Sequence, residues 1–127
     1  MNAGDTFLLS VTERKYEPHL CIVISDPVSD PDEVLFVKLI TWSESADQSC
    51  KLVGGDHSYV TRDSCIAYGR ARVCSLEHLV SLRETGSARM QEPVSAEVLQ
   101  LIRDGAAKSK FIELGKREIL RRQGLIE

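Results

Sequence analysis

Long apolar runs are missing from this chain of 127 residues. No stretch approaches the roughly 20 residues of a membrane-spanning helix, and no signal peptide opens the chain, so the expectation is a soluble, cytoplasmic protein with no membrane partner. Paired cysteines are missing too. The four cysteines, Cys21, Cys50, Cys65 and Cys74, include no Cys-x-x-Cys pair, and three sit inside apolar runs where a thiol behaves as a small hydrophobe. They read as reduced core residues. A zinc site drawn from His19, His57, Cys50, Cys65 and Asp56 has no paired ligand spacing behind it, so neither a metal nor another cofactor is expected. Gly54-Gly55-Asp56 lacks the Lys-Ser/Thr of a phosphate-binding P-loop and does not open a helix, which argues against nucleotide hydrolysis. Internal repeats and low-complexity segments are absent as well.

What is present is ordinary globular material, 43% hydrophobic and 28% charged, in a length that suits one domain with a real core. The net charge of −3 hides an asymmetry: residues 1–107 carry 10 Lys/Arg against 16 Asp/Glu, while Lys108 to Gln123 carry 6 against 2. A basic tail can meet nucleic acid or an acidic partner, or simply form a solvated helix face.

Period-two patterns dominate the first half. Phe7, Leu9 and Val11 share one side of a strand over Thr6–Val11, and Leu20, Ile22 and Ile24 share one side of another over His19–Ser25. Two Asp-Pro steps in the following loop close that strand. Val34–Thr41 is apolar on both sides apart from Lys38 and Thr41, as a central strand would be, and Ser49–Val53 is a short fourth. Five short strands with frequent turns predict a small antiparallel barrel, because closure removes exposed edges. The period then changes. Ser75 is a natural N-cap for a helix containing Leu76, Leu79 and Val80, with Gly86 as its stop. After a polar linker over Thr85–Gln91, Val94 to Ile102 form a second helix between Pro93 and Gly105, and Ile112–Gln123 a third closed by Gly124. The expected layout is mainly β with C-terminal helices: a barrel with a short helix over residues 1–90 and a helical extension over 91–127, compact as one domain.

The stretch from Gly54 to Val73 concentrates the chemistry. Two glycines permit a sharp bend, and His57 beside Asp56 can titrate near neutrality. From Ser64 the alternation predicts one strand with Tyr68, Arg70 and Arg72 on the same side, a pattern that can bind an anion or a nucleotide. A solvated strand face after a hairpin turn is the plainer alternative. Lys38, set among apolar neighbours, either snorkels to the surface or points into a site.

In order, GDTFLL, HLCIVIS, VLFVKLIT, CKL and RDSCIAYGRARVCSLEHL resemble the strand series of the MazF/PemK toxins. The resemblance covers residues 4 to 85. It implies an SH3-like barrel, a homodimer, metal-independent endoribonuclease activity on single-stranded RNA, and control by an antitoxin in a toxin–antitoxin system. By the same resemblance Arg72 matches the arginine of the family's fifth strand, and Thr41 lies at or one residue past its catalytic threonine or serine. The family's loop ending in Arg-Pro is replaced by TERKYEPHL, with His19 in the arginine's place, and Arg70 stands where a glutamine is common. RNA transesterification needs a base, an acid and a cation near the phosphate. The expected catalytic set is therefore His19, His57, Thr41 and Arg72, and the expected RNA-binding set is Arg70, Tyr68, Trp42, Lys38 and Tyr16, the aromatics stacking bases. A rival of a different class is a non-catalytic barrel that presents a groove to a protein partner.

Overall fold

The computed structural model describes residues 1–9 and 19–127. Its frame is an antiparallel sheet. Strands β1 (Thr6–Leu9), β2 (Leu20–Val23) and β3 (Val34–Thr41) pair in sequence, Phe7 opposite Cys21 and Cys21 opposite Lys38. The two-residue β4 (Lys51–Leu52) pairs with β5 (Ser64–Ile66), which pairs with the far end of β3. β6 (Arg72–Cys74) pairs with the near end of β3, and β7 (Ala88–Gln91) with β1. Among the described residues there are three α-helices: α1 (Leu76–Glu84), α2 (Ala96–Lys108) and α3 (Leu114–Arg122). The mainly β architecture with C-terminal helices follows the strand and helix periodicities.

Three details depart from expectation. Ser64 to Val73 is not one strand: β5 stops at Ile66, a single 3₁₀ turn over Tyr68–Arg70 intervenes, and β6 starts at Arg72. The turn breaks the alternation, so Tyr68 goes into the core while Arg70 and Arg72 are exposed. The polar linker contains a strand, β7, whose pairing with β1 orders a segment that has little intrinsic β preference. Gly105 does not end α2 but lies buried inside it.

The strand ladder is open: among the described residues β4 and β7 stand at the two ends of the path β4-β5-β3-β2-β1-β7 with no pairing between them. A side-chain latch joins them instead. The loop after β4 carries His57, whose Nε2–H donates to the Glu92 carbonyl, next to the end of β7, at 2.8 Å. Thr6 of β1 donates its hydroxyl to the same carbonyl at 2.5 Å, and the Ser58 N–H donates to the Glu92 carboxylate at 3.2 Å.

Each side of the sheet has its own core. One side buries Leu8, Leu20, Ile22, Leu35, Val37 and Ile66 against Val98, Ile102 and Ala106 of α2 and Ile119 and Leu120 of α3. The Tyr68 hydroxyl donates to the Ile102 carbonyl at 2.7 Å. α2 comes close enough here that a Cβ on Gly105 would stand 2.8 Å from the Cys50 Cβ and collide with the Tyr68 hydroxyl, so the position requires glycine. The other side buries Phe7, Cys21, Val23, Val34 and Phe36 under Leu79 of α1, with Leu76 and Leu82 flanking. Ser75 caps α1 as expected, accepting from the His78 N–H, and Ser95 caps α2 in the same way. The basic tail docks the helices. Arg117 donates to the Ala106 and Ser109 carbonyls at the end of α2, Lys116 to the Ala71 carbonyl, and Arg122 pairs with Glu33 at 2.8 Å and Asp30 at 3.6 Å.

Candidate nucleic-acid interface

α1 is nine residues long and covers only part of its side of the sheet. Along β3 on that side, Phe36 is buried, and Lys38 and Ile40 beyond it are half-buried, with Trp42 half-buried just past the strand end. The cover thins as the strand leaves the helix. Lys38 stands opposite Cys21, and Arg72 stands opposite Phe36 and is exposed. His19, two residues before Cys21, is exposed and donates from Nδ1 to the Leu39 carbonyl at 3.1 Å, which holds its ring beside β3. His19, Lys38 and Arg72 thus share one sheet side, at the end beyond α1. Lys38 and Arg72 both lie close enough to the Cys21 sulfur to act on it. Burial pushes this thiol up to about 11, and the two cations offset part of that rise.

At the strand end, Lys51 of β4 sets its ammonium 5.0 Å from the centre of the Trp42 ring and 3.3 Å from the Asp63 carboxylate. Asp63 also accepts from the Trp42 N–H through its carbonyl, at 3.1 Å. Register explains why Lys51 arrives here: it pairs with Cys65, which pairs with Ile40. Two residues of local strand gave no warning of this, and Lys51 was not a candidate from sequence. The sign that existed was its alternation with buried Cys50 and Leu52.

Several expected site residues are elsewhere. Tyr68 is fully buried and hydrogen-bonded to α2, so it has no ring face to offer a base. Burial beside the Cys50 thiol also holds its phenol protonated far above the ordinary range. His57 is engaged as a latch. It is 7% exposed, its Nδ1 accepts from the Tyr59 N–H at 3.1 Å, and its Nε2–H is committed to Glu92. Both ring nitrogens are occupied, which leaves no lone pair for a substrate proton. Thr41 is exposed but pairs with Ser64 on the opposite side of β3 from Lys38, so it does not face His19 or Arg72. Arg70 is exposed on the 3₁₀ turn, off the strand that was to align it with Arg72. Tyr16 lies outside the described residues. His19, Lys38, Arg72 and Trp42 remain, and Lys51 joins them.

His19, His57, Cys50, Cys65 and Asp56 do not converge, since His57 is latched to Glu92 and Cys50 is packed in the α2 core. Among the described residues no group of three or more His, Cys, Asp or Glu side chains is placed to hold a metal ion. No described helix is long and apolar enough to cross a membrane. Compared with protein-family models and with curated proteins, the chain matches none.

The arrangement can do two things chemically. Its cations can hold phosphodiester oxygens, Arg72 through a fork that matches paired oxygens, and the half-buried indole can support a base while Lys51 occupies one of its faces. The acid and base pair needed for strand cleavage is not assembled from the expected residues, because His57 and Thr41 both face away.

Proposed function

We propose that this chain binds single-stranded RNA across the end of the sheet beyond α1, as a non-cleaving relative in kind of the MazF/PemK toxins. The observation that carries this reading is the grouping of His19, Lys38 and Arg72 on one sheet side, with Trp42 and Lys51 at its border. Separate strands contribute these residues, and α1 stops short of them. A row of cations with an aromatic at one end fits an extended backbone carrying unpaired bases better than it fits a rigid duplex, whose bases are stacked inward. Phosphate contacts supply the affinity and the indole supplies a sequence-tolerant stacking platform.

The test is fluorescence anisotropy with a short single-stranded RNA in chelator, with the same mixtures run on a denaturing gel. Wild type is expected to bind and to leave the RNA intact. Arg72→Ala and Lys38→Met should each weaken binding several-fold and lower the dependence of log affinity on log salt by about 0.7, the value for one lost single-strand phosphate contact. Trp42→Ala should weaken binding with little change in that slope, by about 1 to 3 kcal/mol if one base stacks on it. Equal binding by wild type and Arg72→Ala would exclude this face, and cutting that survives in chelator would overturn the non-cleaving assignment.

A further inference from the structure

Two features of this chain lie outside the proposed RNA-binding face and are apolar with rims of opposite charge. The first is a knob. Phe111, in the connection between α2 and α3, is 64% exposed, and Leu114, which opens α3, is 73% exposed. Phe111 lies against Gly69, the two positions close enough that a Cβ on the glycine would be 3.4 Å from the Cβ of Phe111. Arg70 follows Gly69, and Lys108 and Lys110 flank Phe111 in the chain, all three exposed, while the carboxylates of Glu113 and Asp47 are engaged, Glu113 with Lys116 at 3.3 Å and Asp47 with the Ser109 hydroxyl at 2.5 Å. The second feature is an open groove of about 590 Å³ between the turn at Pro31 and α1. Pro31, Leu76 and Val80 form its apolar lining, and Asp32, Glu77 and Glu84 its charged rim, with no basic residue among its walls. The Leu76 N–H donates to the Pro31 carbonyl at 2.7 Å and fixes the two sides together. No residue of the knob lines the groove.

We propose that a second copy of this chain docks head to tail, the Phe111–Leu114 knob of one copy entering the Pro31–Val80 groove of the next. Apolar contact supplies the attraction and the opposed charges set orientation, since a basic rim closing on an acidic one favours this pairing over knob on knob or groove on groove. The contact is heterologous. Each copy keeps a free knob and a free groove, so association continues past two copies until a ring closes or the chain of copies ends. Two apolar side chains make a small interface, well below the roughly 800 Å² per partner of a stable complex, so association is weak and concentration-dependent. It does not depend on the RNA-binding reading, because neither surface includes His19, Lys38, Arg72 or Trp42.

Sedimentation velocity tests this with the full chain, from about 10 μM to about 1 mM, the range in which weak contacts show. Wild type should gain mass with concentration and pass the dimer. Phe111→Glu and Val80→Glu, each placing a charge where an apolar contact is needed, should weaken association at least about tenfold and stay monomeric. Circular dichroism melts of both confirm that they fold. The decisive arm mixes the two variants: one offers an intact groove and the other an intact knob, so a one-to-one dimer should form and grow no further. A wild type that is monomeric throughout overturns the proposal, as does Phe111→Glu associating like wild type. Val80→Glu associating alone while Phe111→Glu does not would mean knob-to-knob contact, and would overturn it as well. So would Phe111-dependent binding of the monomer to vesicles of anionic phospholipid, which would make the basic knob a membrane-contact patch.

Discussion

The two sides of the sheet are built from the same strands and come to opposite ends. On one side α2 and α3 pack against Leu8, Leu20, Ile22, Leu35 and Ile66, Tyr68 donates into α2, and a single glycine sets how closely helix and sheet approach. On the other, a nine-residue helix covers Phe7, Val23 and Phe36 and stops, leaving Lys38 and Arg72 over a buried cysteine. Both sides alternate as sheets must, so alternation does not separate them. The amount of helix that follows in the chain does. A side with more helix over it has no room for a ligand, and a side with less keeps polar residues at its margin.

That contrast can be broken most sharply at Gly105. Gly105→Ala should destabilise the fold by about 3 kcal/mol, because the added methyl collides with the Tyr68 hydroxyl and the Cys50 side chain, and this outweighs the helix preference of about 1 kcal/mol that alanine brings. Urea unfolding measures it, and a neutral or stabilising result would mean the tight side is not tight. The His57 latch comes next. His57→Ala leaves the Tyr59 N–H without its acceptor and frees the loop from Glu92, for a loss of about 1 to 2 kcal/mol, while RNA affinity should hold. If affinity fell with stability unchanged, His57 would belong to the site after all.

The buried thiols give a pH test of about 1 kcal/mol. Burial raises Cys21 and Cys50 from the ordinary 9.0 to about 11. A thiol whose folded value is raised favours the fold fully below its unfolded value, and that contribution is lost as pH rises toward the folded value. Stability should therefore fall by about 1 kcal/mol between about pH 8 and about pH 9.5, and a Cys21→Ala, Cys50→Ala chain should show a flatter curve. Arg72→Ala sits at the small end: melting should change by less than about 0.5 kcal/mol, in contrast to its effect on RNA binding. A large loss of stability there would show Arg72 to be a structural residue of the thin side.

Legibility followed locality. β3 was readable residue for residue, since eight positions of strand pattern contain their own register, and the cap Ser75 reflects a bond that spans three residues. β7 was not readable, because Ala88 to Gln91 becomes a strand only through β1. Within the candidate site, Lys38 and Arg72 were visible as cations on predicted strands and Trp42 as the lone indole. His57 was visible but its latch was not: a histidine beside two glycines and an aspartate looks the same whether its ring faces solvent or the carbonyl of a residue 35 positions later. Tyr68 failed for a nearby reason. A strand and a strand interrupted by one 3₁₀ turn share the same first residues, and the turn swings the tyrosine toward α2.

By itself the sequence determined the order of the first four strands and of the helices, the Ser75 cap and the apolar sides, because hydrophobic period and capping are properties of a few neighbouring residues. Tertiary structure alone decided which cations meet, that the two ends of the open sheet are held by a histidine, and that the basic tail docks helices onto the sheet. Each of these depends on residues tens of positions apart being brought within hydrogen-bonding or coulombic reach, and only the packed chain sets those distances.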